Sequence, residues 1–217
     1  MTCRWIFDHS WRFFVLIAGI AIISGSALAQ EPAPKEKSNL RRDAIVAQGL
    51  AYLAKEGQSD DGTFSAKVGP GVTALAVTAA LRNDRPLTDP LVRGGLKALE
   101  GFVKPDGGIY GSGRLRNYET CVAMVCFSEA NKDGRYNELL KRAKAFVTEM
   151  QYGATKRDPA DPAYGGVGYS GSDRPDLSNT SYFIEALRVS ETGPEDEAIQ
   201  SALAFVSRCK NLQSEFK

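Results

Sequence analysis

The sequence predicts an all-α fold built from repeated helical hairpins. Three stretches of the 217-residue chain share one order: a helix rich in small and apolar residues, a glycine-containing turn, and a second apolar helix. An aromatic residue follows the glycine in each turn, at Phe64, Tyr110 and Tyr169. No segment alternates apolar and polar residues as a half-buried strand would. Self-similarity at the spacing of one hairpin indicates a repeat architecture, in which each unit buries its apolar face against its neighbours.

The first 29 residues have the layout of a secretory signal peptide. Arg4 and Arg12 precede an apolar segment over residues 13–23, and the small residues at 26–29 suit a cleavage site after Ala29. We therefore expect export to the periplasm or the cell exterior. The alternative is a membrane anchor over residues 13–29, which is short for a span. A membrane contact is expected only through this segment, if it is not cleaved.

Residues 30–40 are predicted to form a disordered linker, because they combine prolines with several charged side chains. Residues 41–217 are then one domain, in which two kinds of helix alternate. Helices with one apolar face are predicted to form a solvated outer layer, and helices that are apolar on most sides an inner layer. The predicted outer helices span residues 41–56, 89–103, 135–151 and 195–209, and the predicted inner helices span residues 72–81, 118–130 and 179–190.

The connecting turns are rich in residues that reverse the chain. Asp-Gly and Gly-Gly pairs, as at residues 61–62 and 107–108, adopt positive φ at low steric cost. The aromatic residue after each pair is predicted to fill the gap between adjacent hairpins. Thr73, Thr120, and either Asn179 or Thr180 are predicted to cap the inner helices, because a side-chain oxygen can accept hydrogen bonds from free amides at a helix start.

Charge and cysteine content exclude some classes of protein. Beyond residue 29 the basic and acidic residues are equal in number, which gives no electrostatic reason to expect nucleic acid as a partner. Cys121 and Cys126 lie five residues apart on a predicted helix and point to different sides, so they are predicted to be buried thiols. With Cys209 they leave an odd number of cysteines, which disfavours a disulfide scaffold.

The repeat resembles that of the squalene cyclases and the protein prenyltransferase β-subunits. The resemblance rests on Gly-Leu-x-x-Leu, then Gln, then Asp-Gly-x-aromatic, then an apolar helix. This chain has Gln58 and Gln151, and it carries Phe64, Tyr110 and Tyr169 where the family usually has Trp. The match covers residues 41 to about 210. It implies an α/α-toroid, with rings of inner and outer helices around an apolar cavity, in the manner of exported bacterial proteins with prenyltransferase/squalene-oxidase-type repeats.

A closed ring of this family contains about six hairpins, whereas the sequence shows three hairpins and one further outer helix. We therefore expect an incomplete ring. Such a ring is either a truncated toroid or one that another chain completes.

The residues that carry catalysis in the family have no counterpart here. The single histidine, His9, lies in the predicted signal peptide, so the remaining chain cannot form the family's zinc site of Asp, Cys and His. The acidic run of the cyclases has its nearest match at Asp60-Asp61, which is better explained by turn formation. We predict no catalytic residue, no metal and no cofactor.

Polar residues cluster at the starts of the second and third inner helices. Loops at one end of a toroid lie at its mouth, so these residues are predicted to rim a shared binding site. The alternative is a solvated loop with local Arg–Asp pairs. The candidates are Arg114, Arg116, Tyr118 and Glu119 in the second repeat, and Asp173, Arg174, Asp176, Asn179 and Tyr182 in the third.

Three functions are compatible with the sequence. The first is an exported, non-catalytic module that binds a protein, a peptide or an apolar ligand. The second is an isoprenoid cyclase or prenyltransferase-like enzyme whose catalytic residues lie outside this chain. The third is a carbohydrate-active α/α-barrel, for which Glu119 and Glu185 are the candidate inner-helix acids.

Overall fold

The structure is a computed structural model that describes residues 34–210. The predicted all-α class is confirmed for this part of the chain, where the one β-type pairing is an isolated bridge between Val103 and Ile109. A π-helical turn at Leu53–Gly57 and a 3-10 turn at Ala66–Val68 supplement the α-helices. The α-helices are α1 (Pro34–Tyr52), α2 (Gly71–Leu81), α3 (Pro90–Glu100), α4 (Arg116–Ala130), α5 (Asn137–Met150), α6 (Leu177–Val189) and α7 (Glu197–Arg208).

Helices α2, α4 and α6 pack side by side in that order and form an inner layer. On it lie α3 against α2, α5 against α4, and α7 against α6. The inner helices are apolar enough to be covered on several sides, and α4 buries Met124 and Phe127 completely. The outer helices are amphipathic and bury one face. Each of these six helices agrees with its predicted bounds to within about three residues.

The predicted linker over residues 30–40 is wrong where the structure describes it. Helix α1 begins at Pro34, so residues 34–40 are helical. Proline suits the first turn of a helix because its φ is already fixed and its missing N–H is not needed there. Lys35, Glu36 and Lys37 follow it and are good helix formers. Residues 30–33 and the predicted signal peptide at residues 1–29 lie outside the described residues.

Each turn between layers contains a glycine whose backbone rests on the next outer helix. The φ angles of these glycines are between 84° and 93°, in the region that other residues rarely adopt. A Cβ at any of them would overlap a main-chain oxygen of that helix. The turns therefore contact the helices backbone to backbone. The three glycines and the oxygens they approach are Gly62 and Gly94 O, Gly107 and Arg142 O, and Gly165 and Ser201 O.

The predicted threonine caps are wrong. Thr73, Thr120 and Thr180 lie within the first turns of α2, α4 and α6, and their hydroxyls accept hydrogen bonds from the preceding glycine turns. The donors are the N–H groups of Phe64 at 2.9 Å, Ile109 at 2.9 Å and Val167 at 3.2 Å. The threonines thus fasten each turn to its inner helix.

These threonine bonds also show which turn residues are equivalent. Phe64, Ile109 and Val167 occupy the same place, and all three are buried. The aromatic prediction is confirmed at Phe64, but an aliphatic side chain fills that place in the other two repeats. Tyr110 is instead half-buried and stacks on Phe146 at 5.7 Å, while Tyr169 is 44% exposed.

The two glutamines of the repeat have the same role. The Gln58 side-chain amide donates to the carbonyls of Gly62 and Leu91, both at 3.0 Å. Gln151 donates to the carbonyls of Gly165 and Ala198, both at 2.8 Å. Each glutamine therefore joins its turn to the start of the next outer helix. In the second repeat Val103 precedes the turn glycine by the same four residues as Gln58 and pairs with Ile109.

Cys121 and Cys126 are free and buried, as predicted. Burial raises the pKa of both thiols, that of Cys126 to about 12. Within residues 34–210, no helix combines the length and the apolar character needed to cross a bilayer.

Candidate functional site

The loops before α4 and α6 lie side by side at one end of the inner layer. The Arg116 guanidinium donates to the Ser170 carbonyl at 2.7 Å. Asn117 donates its backbone N–H to the Tyr169 carbonyl and its side-chain amide to the Gly168 carbonyl, both at 2.9 Å. Asn117 is fully buried, so these bonds form away from water and fix the two loops together.

A cleft of about 610 Å³ opens between these loops, and we call it the mouth cleft. Its walls carry side chains of both charges together with hydroxyl groups. They include Arg114, Arg116, Tyr169, Ser170, Ser172 and Asp173. The structure therefore brings the predicted Arg114, Arg116 and Asp173 into one cleft.

Three tyrosines from three segments meet beside the mouth cleft. The ring of Tyr118 in α4 lies edge to face with that of Tyr182 in α6, with centroids 5.2 Å apart. The ring of Tyr169, in the loop before α6, lies 6.2 Å from Tyr118. Burial raises the pKa of the Tyr118 hydroxyl, so the group stays neutral at ordinary pH. We call Tyr118, Tyr169 and Tyr182 the tyrosine cluster.

Glu119 is a buried carboxyl that lines a second cleft. Its side chain is 3% exposed, and Oε2 accepts a hydrogen bond from the Gly111 N–H at 2.9 Å. The other oxygen rests against Gly69, whose φ is +91° and where a Cβ would overlap it. Burial raises the pKa of Glu119, and the bond from Gly111 offsets only part of that rise.

This second cleft has a volume of about 690 Å³. Lys67, Lys104 and Arg114 line it together with Phe102, and Glu119 lies at its wall. Arg114 borders both clefts, so they adjoin at that side chain.

Glu119→Gln is expected to stabilise the protein near pH 7. The amide oxygen can still accept the bond from Gly111, while the cost of burying a charge disappears. Because the folded-state pKa is raised, the folded wild type binds more protons than the unfolded chain between the two pKa values. Wild-type stability therefore falls as pH rises through that window, and the advantage of the variant should shrink toward pH 4.

Urea unfolding at pH 4 and pH 7 measures this difference. Glu195→Gln changes an exposed carboxyl and is the matched control, for which no comparable gain is expected. A loss of stability at pH 7, or an equal gain at both pH values, would contradict the expectation.

Asp176 and Asn179, two of the predicted site residues, hold the start of α6. Asp176 is the N-cap and accepts hydrogen bonds from the Asn179 N–H at 2.9 Å and from its side-chain amide at 2.6 Å. Burial favours the neutral form of Asp176, but the bonds from Asn179 and Ser178 outweigh it and lower the pKa. Asn179 is 1% exposed. Neither side chain faces the mouth cleft.

The predicted acids Glu119 and Glu185 are not brought together. Glu185 pairs with Arg82 at 3.1 Å, and Arg82 also pairs with Glu129 of α4 at 2.7 Å. Glu129 lies ten residues after Glu119, which is about 15 Å along the helix. Glycoside hydrolysis needs two carboxyl groups within about 5–9.5 Å. The geometry therefore does not support the carbohydrate-active alternative.

Of the remaining predicted residues, one lines a separate cleft and one shapes the loop it belongs to. Arg174 lines a separate cleft beside α7 with Asp161 and Phe205. The Asp173 carboxylate accepts from the N–H and hydroxyl of Ser170, which shapes its own loop. Sequence reasoning assigned Tyr169 to packing and missed Ser170 and Ser172. Their signal was the run of small polar residues around them, which is typical of an exposed loop.

Among the residues the structure describes, no group of three or more His, Cys, Asp or Glu side chains is placed to hold a metal ion. No family model matches the chain. No curated protein matches it in sequence either.

Proposed function

We propose that this chain is an exported, non-catalytic binding module that holds a protein or peptide segment at the mouth cleft. The observation that carries the proposal is the tyrosine cluster beside a rim of Arg114, Arg116 and Asp173. Tyrosine and arginine are enriched where proteins bind one another, both in the interface as a whole and among the residues that contribute most to affinity.

The chemistry of the cleft favours a peptide over an apolar ligand. An apolar ligand is usually held in a pocket lined mainly by hydrophobic side chains. The mouth cleft instead presents charges of both signs and hydroxyls, which can pair with the polar backbone and side chains of an extended segment. The loops that form it are fixed by the buried Asn117, so little ordering is required on binding.

The architecture that we infer for this module is an arc of an α/α-toroid. Support comes from the inner layer of α2, α4 and α6 and from the outer helices that pack on it in sequence order. The matching roles of Gln58 and Gln151 support a relation to the squalene cyclase and prenyltransferase repeats. Export rests on the signal-peptide pattern at residues 1–29.

Selection of peptides from a displayed library against the purified chain tests the proposal. Enriched peptides are expected to lose about tenfold or more in affinity for Tyr169→Ala, since this ring supplies exposed aromatic area in the mouth. Tyr52→Ala removes a ring of 64% exposure from α1, far along the chain from the mouth loops, and is the matched control. Its peptide affinity should equal that of the wild type.

Two results would overturn the proposal. One is a set of peptides whose affinity is the same for Tyr169→Ala, or falls equally for Tyr52→Ala. The other is that no peptide is enriched while mass spectrometry of the purified chain shows a bound lipid, which would favour an apolar ligand.

A further inference from the structure

The second cleft is lined by positive side chains from three segments. Lys67 comes from the 3-10 turn before α2, Lys104 from the turn after α3, and Arg114 from the loop before α4. None of these side chains forms an ion pair with another residue of the described chain. Lys104 instead lies over the ring of Tyr110, with its ammonium nitrogen 5.8 Å from the ring centroid. A cleft lined by one sign of charge concentrates ligands of the opposite sign.

Glu119, the acid on the wall of this cleft, does not cancel the positive charge. It is a single carboxyl against three cations, so a positive excess remains even when Glu119 is ionised. Its Oε2 is already held by the Gly111 N–H. Burial also raises the pKa of Glu119, which favours the neutral form of the carboxyl. The charge that matches this cleft is therefore negative.

Two charged side chains of the mouth cleft are engaged within its own loops. The Arg116 guanidinium donates to the Ser170 carbonyl, and the Asp173 carboxylate accepts from the Ser170 N–H at 2.8 Å and from its hydroxyl at 2.5 Å. These two charges are also opposite in sign. Arg114 borders both clefts, and its guanidinium makes no such bond within the described chain. The charges left for a ligand along the two clefts are therefore positive.

We propose that the segment held at the mouth cleft is an acidic peptide, whose Asp or Glu carboxylates pair with Lys67, Lys104 and Arg114 in the second cleft. This ligand class rests on the proposed function, since one peptide occupies both clefts. The clefts adjoin at Arg114, so a segment that contacts the tyrosine cluster can continue into the second cleft. Arginine binds a carboxylate through two parallel hydrogen bonds, and lysine adds a compact positive charge. Phe102 supplies an apolar wall for the stems of the acidic side chains.

Selection from a displayed library with all residue types at equal frequency tests the ligand class. Peptides enriched on the wild type are expected to carry Asp or Glu within a few residues of an aromatic or apolar side chain. Synthetic copies with amidated C-termini should bind about tenfold more weakly when Asp and Glu are replaced by Asn and Gln. Because amidation removes the terminal carboxylate, this loss belongs to the side chains. The affinity of the acidic peptides should also fall between about 50 mM and 500 mM NaCl, since salt screens charge pairs in an open cleft.

Reversing the charge of the second cleft separates the site from the net charge of the protein. The double variant Lys67→Glu with Lys104→Glu is expected to enrich peptides that carry Lys or Arg in place of Asp or Glu. A new preference of this kind requires a folded site, so it cannot result from unfolding. Lys132→Glu with Lys141→Glu changes the net charge equally, at exposed residues that line neither cleft. This control pair should keep the wild-type preference for acidic peptides.

Different outcomes contradict the acidic ligand and the proposed function. Enriched peptides that lose affinity for Tyr169→Ala but carry no excess of Asp or Glu would refute the acidic ligand and leave the proposed function intact. An equal change of preference in the control pair would assign the effect to net charge and overturn the site. Citrate that binds the chain as tightly as the acidic peptides, measured by isothermal titration calorimetry, would assign the second cleft to a small anion. If no peptide is enriched, the proposed function fails and the acidic ligand fails with it.

Discussion

Gly165→Ala is expected to destabilise the fold by about 3–5 kcal/mol. The glycine has a φ of +84°, which is strained for alanine. The added Cβ would also overlap the main-chain oxygen of Ser201 in α7. A backbone atom of a packed helix cannot rotate away as a side chain can, so α7 must shift from the turn. Urea unfolding followed by circular dichroism measures the loss.

Two other glycines separate the contributions to this loss. Gly153 has an ordinary φ, and a Cβ added there would meet nothing within 4 Å, so Gly153→Ala should change stability by only about 0.5 kcal/mol. Gly113 has a φ of +86° and equally open surroundings, so Gly113→Ala should cost about 1–2 kcal/mol from backbone strain alone. If Gly165→Ala cost no more than Gly113→Ala, the backbone contact with α7 would be unimportant.

Gln151→Glu is expected to cost about 3 kcal/mol near pH 7. The Gln151 amide is 5% exposed and donates to two carbonyls, those of Gly165 and Ala198. A carboxylate of the same shape cannot donate and would place a negative charge against both oxygens. These surroundings should raise the pKa of the introduced carboxyl in the folded state. Stability should therefore recover in part as pH falls, because the protonated carboxyl can donate one bond.

Two matched variants accompany this measurement, each made by the same chemical change. Gln58→Glu breaks the equivalent pair of bonds at a half-buried site and should cost less, since water can replace part of them. Gln48→Glu alters an exposed amide of α1 and should be close to neutral. Equal losses for Gln151→Glu and Gln48→Glu, measured by urea unfolding at pH 5 and pH 7, would show that the buried bonds contribute little.

The helices were predictable from the sequence because their signals are local. Amphipathic and apolar segments differ in periodicity, and the Asp-Gly and Gly-Gly pairs separate them. The role of Asp61 was also predictable, since its carboxylate accepts from the Thr63 N–H and hydroxyl within the turn. The prediction of a linker is wrong for residues 34–40 because prolines and charged residues are common both in linkers and in the first turns of helices.

The candidate site was predictable only in part. Similar loops in a repeat lie at the same end, which brings Arg114, Arg116 and Asp173 together. The bonds that fix the cleft could not be foreseen, because Arg116 and Asn117 donate to backbone carbonyls, and every residue has one. The threonine caps were predicted wrongly for a related reason. A hydroxyl in the first turn of a helix can accept a hydrogen bond from its own helix or from a neighbouring loop, and the sequence does not distinguish the two.

The glycines, glutamines and threonines that define the repeat all contact main-chain atoms of the segments they pack against. The turn glycines touch main-chain oxygens, the glutamines bond to carbonyls, and the threonines accept from N–H groups. None of these contacts depends on which side chain the partner residue carries. The outer-helix positions they meet are therefore free to change during evolution, provided that the helix itself stays in place. Such a unit can be duplicated and its sequence can then diverge at most positions, while the turn glycine, the glutamine and the threonine preserve its fold.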